Sequence, residues 1–156
     1  MDQADVERLM LDPDLPRKRK LALRLFAAAI EPVAAAHGHA GSATGGWIRQ
    51  SALCWSRLWL QKSRAGFACF LNIDYANCLA GLKGPVRSTR IGAFAATIAD
   101  HNRLDALPYV ELGEVSPLRD EVIGLLQMRA MPWLDRCHSM LGGSERNHVP
   151  FGLMPQ

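Results

Sequence analysis

Residues 53–73, LCWSRLWLQKSRAGFACFLNI, hold two runs of alternating side chains joined by a short polar turn, the pattern of a β-hairpin. In the first run Cys54, Leu58 and Leu60 fall on one side and Leu53, Trp55 and Trp59 on the other. Apolar groups on both sides predict a central strand over residues 53–61, covered at least partly on each face. Residues 63–66 form the turn. In the next strand Phe67, Cys69, Leu71 and Ile73 alternate with Ala68, Phe70 and Asn72. Trp47, Ile48 and Arg49 predict a strand before this hairpin, and residues 90–94 a fourth strand after it.

Outside this region the period lengthens to that of a helix. Val6, Leu9 and Met10 suggest a short N-terminal turn, broken at Asp12-Pro13-Asp14. Pro16 stands where a proline favours a helix start. Leu23, Phe26, Ile30 and Val33 or Ala34 then make one apolar stripe on an alanine-rich helix. Pro32 is expected to kink or end that helix, because proline lacks an amide donor and crowds the turn before it. Residues 38–46, GHAGSATGG, read as a flexible connection, residues 83–85 as a loop, and residues 101–115 show little period.

Near the C-terminal end, Ser116 is a candidate N-cap, followed by Pro117 at the first helical position and Glu121 near the first turn. Val122, Leu125, Leu126 and Arg129 continue this helix. Pro132 is expected to interrupt it before Trp133, Leu134, Cys137 and Leu141 resume the stripe, which Gly142-Gly143 ends. The order helix, sheet, helix predicts an α+β fold, with an antiparallel sheet of about four strands packed against N- and C-terminal helices. One domain over residues 1–143 and a loosely ordered tail over residues 144–156 complete the expectation.

The set Trp47, Arg57-Leu58-Trp59-Leu60-Gln61-Lys62-Ser63, Phe70-Leu71-Asn72-Ile73, Arg90-Ile91-Gly92 and Met131-Pro132-Trp133-Leu134 resembles a bacterial domain family of unknown function. That family's pattern is a strand ending hydrophobic-Gln-Lys-Ser, a hydrophobic-Asn-hydrophobic strand, an Arg-hydrophobic-Gly and a C-terminal helix. The resemblance covers about residues 15 to 141 and implies an α+β fold without supplying an activity. The chain differs from the pattern in its long alanine-rich first helix and its acidic stretch after Asp100.

Composition narrows the classes. The chain has 156 residues, 49% of them hydrophobic and 21% charged, which suits one globular domain with a real core. No apolar run approaches the roughly 18 to 20 residues that span a bilayer. The acidic opening MDQADVERLMLDPD has no apolar centre of the kind a secretory signal carries, so a cytoplasmic location is expected. Cys54, Cys69, Cys78 and Cys137 are scattered without a C-x-x-C pair, which fits free thiols in a reducing compartment.

The net charge of +3 is unevenly spread. Residues 1–15 hold five acids against one arginine, and Arg17, Lys18, Arg19, Lys20 and Arg24 follow. Between residues 47 and 90 Asp74 is the only acid, whereas acids dominate residues 100–121. Opposed charged faces speak to partners rather than to fold.

No catalytic signature stands out. His37 and His39 in a glycine-rich loop, with Cys78, His101 or His138 to complete them, lack a second ligand pair at zinc-like spacing. Cys137 and His138 are neighbours on a helix and diverge by about 100 degrees, so they do not face each other as a nucleophile and base would. GSATGG lacks the Lys-Ser/Thr of a phosphate-binding loop. No metal or cofactor is expected.

Arg17, Lys18, Arg19 and Lys20, with Trp55 and Trp59 as stacking groups, offer a nucleic-acid surface. A solvated helix end and core tryptophans explain these residues more simply. Arg57, Gln61, Lys62 and Arg64, with Ser63, could form a polar anion site at the strand end, against the simpler reading of hairpin-turn chemistry. Asp105, Glu111, Glu114 and Asp120, with Glu121, around Tyr109 suit docking onto a basic cleft such as a nuclease active site, against a solvated loop and helix start.

The expectation that joins these features is a non-catalytic protein-binding domain, an immunity protein that inhibits a cognate bacterial toxin encoded nearby. Asp105, Tyr109, Glu111, Glu114 and Asp120 are its expected contacts. The alternatives are an uncharacterised enzyme working at the strand end, residues 61–64, or a nucleic-acid accessory protein.

Overall fold

The computed structural model describes residues 2–139. Helix α1 (Gln3–Met10) and the long helix α2 (Leu15–Ala36) lead into strands β1 (Ala40–Ser42), β2 (Gly46–Gln50), β3 (Cys54–Lys62) and β4 (Ala68–Leu79). Two short strands follow, β5 (Leu82–Lys83) and β6 (Arg87–Arg90). Helix α3 (Ile98–Asp105), β7 (Leu107–Pro108), α4 (Pro117–Leu125) and α5 (Met131–His138) complete the order. The fold is α+β with an open antiparallel sheet, as the pattern predicts, but the described sheet has seven strands rather than about four.

The difference arises around β4. This strand runs for twelve residues, well past the alternation that ends at Ile73, because Ala76 and Cys78 are also buried. On one side β4 pairs with β3 from Cys69↔Lys62 to Asn77↔Cys54. Its other side is divided among β7 at Ala68 and Cys69, β6 from Asn72 to Tyr75, and β5 at Cys78 and Leu79. Ala80 (φ 52) and Gly81 (φ 78) both take the left-handed conformation, the turn that a two-residue hairpin favours. Residues 38–46, expected to be a connection only, supply β1 and its hairpin to β2. Residues 91–94, expected to prolong a strand, turn instead into a 3₁₀ helix after β6.

One face of the sheet meets the helices. Trp47, Cys54, Leu58, Leu71, Ile73 and Tyr75 from the strands pack with Ala22, Phe26, Ile30 and Ala34, the buried stripe of α2. Val122, Leu126, Ala130, Trp133 and Leu134 close the core from the C-terminal helices. The Trp133 ring lies edge-on to Tyr75 at 4.9 Å and to Phe94 at 5.8 Å. Each fully buried aliphatic side chain contributes about 1.5–3 kcal/mol, so this layer holds the fold together.

Pro32 does not end its helix, whereas the α-helix is interrupted before Pro132, as the pattern predicts. Pro32 lies on the exposed side of α2, so the carbonyl that loses its amide partner faces water and the helix runs on to Ala36. Ahead of Pro132 the chain widens into a π-helical turn, Leu126–Ala130, which relieves the ring's clash with the preceding turn and lets α4 pass into α5. The expected loose tail over residues 144–156 lies outside the described residues.

Candidate functional site

Among the described residues, no helix crosses the centre of the second face of the sheet. Side chains there alternate with the core positions: Ile48 on β2, Trp55, Arg57, Trp59 and Gln61 on β3, Phe70, Asn72 and Asp74 on β4, and Ser88 and Arg90 on β6. Trp55, Arg57, Trp59, Gln61, Phe70 and Arg90 are each half-buried, and Ile48 is 40% exposed.

These groups hold one another in place. The Arg57 guanidinium lies between two indoles on the same strand face, 5.0 Å from the Trp59 ring centre and 5.8 Å from that of Trp55. Lys83 caps the Trp55 ring at 4.0 Å, and Arg90 covers Phe70 at 3.8 Å. Beneath them Asp74, 4% exposed, accepts from Arg57 Nη2 at 2.8 Å and Nε at 3.2 Å, and from Ser88 Oγ at 2.5 Å. Asn72 donates to Gln61 Oε1 at 2.9 Å. The Asp74 carboxylate is fully engaged with these donors. What remains outward is a pre-ordered plank of aromatic faces and arginines, the composition found at the centre of protein interfaces.

The polar strand-end site does not assemble. Arg57 and Gln61 lie on this open face, Lys62 points to its other side, and Arg64 is exposed in the turn. The Ser63 hydroxyl accepts the Gly66 and Ala68 amides at 3.2 and 3.4 Å, so it serves the hairpin.

The acidic residues do not share one surface either. Asp105 pairs with Arg90 Nη1 at 2.7 Å beside the open face. Glu111 lines a groove beneath α1, and Asp120 sits in the first turn of α4, where it complements the helix dipole. Glu114 is exposed in a loop whose carbonyls are held by Arg119. Tyr109, expected at the surface, is 1% exposed because its 3₁₀ turn folds it against α2, with Arg19 5.7 Å from its ring centre. Burial pushes its phenol up to about 12. Tyr109 is therefore a core residue, not a partner contact.

One polar cluster escaped the sequence reading. On the helix-covered face, Ser56 Oγ lies 2.8 Å from His39 Nε2 and 2.8 Å from His138 Nε2, and His138 Nδ1 lies 2.7 Å from Ser51 Oγ. The Ser51 hydroxyl donates to the Cys54 carbonyl at 3.2 Å. One proton per ring then orders the whole chain: His39 donates to Ser56, Ser56 to His138, and His138 to Ser51. The His39 nitrogen left bare by this order, Nδ1, is the one that is buried without a hydrogen-bond partner.

Beside the chain, Asp135 on α5 accepts from Arg49 Nη1 and bonds His37 Nδ1, both at 2.7 Å. Ser56 is fully buried and His138 is 8% exposed rather than solvated, so this chain clamps α5 and the β1 end to the sheet. Its members lie 17, 82 and 87 positions apart. The one local signal was a serine on the apolar side of β3, between Cys54 and Leu58.

Compared with known protein families, with curated proteins and with solved structures, the chain matches none.

Proposed function

We propose that this chain is a non-catalytic protein-binding domain whose docking surface is the open face of the sheet, and that it serves as an immunity protein for a cognate bacterial toxin domain. The observation that carries this reading is the fixed arrangement of Trp55, Arg57, Trp59 and Phe70 on a face that no helix of the described residues covers. Tryptophan and arginine dominate the energetics of protein interfaces, and here their side-chain entropy is already spent in mutual packing.

The polar groups support binding over catalysis. Asp74 is neutralised by Arg57, His39, Ser56 and His138 of the serine-histidine chain are buried, and among the described residues Lys62 and Arg64 converge on no acid or nucleophile. The acidic residues of the sequence reading are dispersed, which moves the expected interface from residues 105–121 to the strands.

The test is a mixing experiment between the full chain and the toxin domain encoded beside it, read by size-exclusion chromatography and by toxin activity. A stoichiometric, inactive complex is expected. Trp55→Ala and Ile48→Glu should abolish it while thermal unfolding stays cooperative. An intact complex with both substitutions would remove the open face from the proposal, and absence of any complex would overturn it.

A further inference from the structure

Strand β3 outruns its neighbour. Its pairing with β2 stops at Leu58↔Trp47, whereas its pairing with β4 continues to Lys62↔Cys69. Gly46, at the start of β2, still lies against Trp59, so among the described residues 60–62 have a partner strand on one side only, and a free strand edge is a template for another chain. The edge opens into a cleft of about 670 Å³ between α2 and the β1–β2 turn, lined by Arg24, Ala27, Thr44, Trp59, Leu60 and Lys62.

A second hollow of about 530 Å³ continues along α2 and shares Arg24, with Arg17 and Lys20 on its rim. Arg17, Lys20 and Arg24 recur on one side of α2, and neither they nor Lys62 has an acidic partner among the described residues.

We infer that an extended acidic segment of the protein partner adds to the sheet along residues 60–62, with its carboxylates meeting Arg24 and Lys62. Main-chain hydrogen bonds supply attraction and the cations supply choice of partner, as in other strand-addition complexes. The cleft provides both: an unpaired edge with an apolar floor at Ala27 and Leu60, and a wall of uncompensated positive charge. The inference deepens the protein-binding reading and rests on it.

Selection of a random displayed-peptide library on the full chain tests it. Enriched peptides are expected to alternate acidic and apolar residues. Binding of a synthetic copy should weaken by about tenfold or more when Arg24→Glu and Lys62→Glu are combined. It should weaken similarly when alternate peptide amides are N-methylated, which blocks strand pairing without changing charge. Neutral or basic winners, no enrichment, or full binding by the N-methylated peptide would overturn strand addition. Tighter binding of single-stranded RNA to the same cations would overturn it in favour of a phosphate backbone. A toxin complex that needs Trp55 but tolerates both charge reversals would sink this inference and leave the proposed function standing. Acidic peptides binding here, with no toxin complex, would do the reverse.

Discussion

Arg57 and Asp74 stand opposite one another in the register of β3 and β4 and are joined by a 2.8 Å ion pair on the open face. The carboxylate is 5% exposed and the guanidinium 33%, so the acid depends on the arginine far more than the reverse. Arg57→Met should cost about 2 kcal/mol, less than a fully buried pair because water still reaches this arginine. The double change Arg57→Met with Asp74→Leu should recover most of that loss. Urea denaturation of both variants checks the order, and a double variant weaker than the single would contradict it.

The serine hydroxyl at the centre of the buried chain makes a sharper case. Ser56→Ala removes one oxygen but leaves two ring nitrogens, His39 Nε2 and His138 Nε2, without that partner. A loss of about 2–4 kcal/mol is expected in equilibrium unfolding. Ser51→Ala, at the half-exposed end of the chain, should cost clearly less. Equal losses would mean that the chain is not directional.

Acid should unlock the same cluster. Burial lowers His39 from 6.5 to about 4, with the Arg49 charge adding to the effect, while the His37 backbone and the Asp135 carboxylate oppose it. An unfolded His39 takes its proton near 6.5 and the folded one near about 4, so the unfolded state binds more protons between them. The stabilisation is complete above 6.5 and disappears as the pH falls toward about 4. The loss from this one group amounts to roughly 3 kcal/mol. Chemical denaturation of wild-type protein and His39→Asn across this range should give a flatter pH profile for the variant. Parallel profiles would show that other groups govern the acid response.

Two glycines separate steric need from backbone need. At Gly46 (φ +82) an added Cβ would lie 2.5 Å from the Leu58 carbonyl oxygen, so Gly46→Ala pushes β2 away from β3. About 3 kcal/mol is the expected cost. At Gly81 (φ +78) no atom lies within 4 Å, and Gly81→Ala should cost about 1 kcal/mol from backbone strain alone. Thermal melts of the pair decide, and similar shifts would place the β1–β2 hairpin differently.

The hairpin from β3 to β4 was legible because alternation is a local property, and Phe26, Ile30 and Ala34 were legible for the same reason. What escaped depends on partners distant in the chain. β1 has no apolar period, and only its pairing with β2 makes it a strand. Tyr109 sits in a stretch without rhythm, and its burial is decided by α2. Pro32 does not end α2 because it falls on the side that faces water, which composition does not say, and the widened turn ahead of Pro132 has no mark of its own in the sequence. For the candidate site, Trp55, Trp59 and Arg57 were visible as strand residues. Their half-buried state follows from the lack of a covering helix among the described residues, which no short window of residues encodes.

Strand β4 bonds to β3 and to each of β5, β6 and β7. During synthesis, then, β1, β2 and β3 are made before the strand that pairs along the whole length of β3, and the sheet stays half-built until it follows. The three short strands that flank β4 have no other neighbour and can join only after it is in place. Completion of the sheet therefore turns on one strand near the middle of the chain, and a chain cut short before Ala68 would leave β3 with one unpaired edge and the helix stripe without Leu71, Ile73 and Tyr75 to pack on.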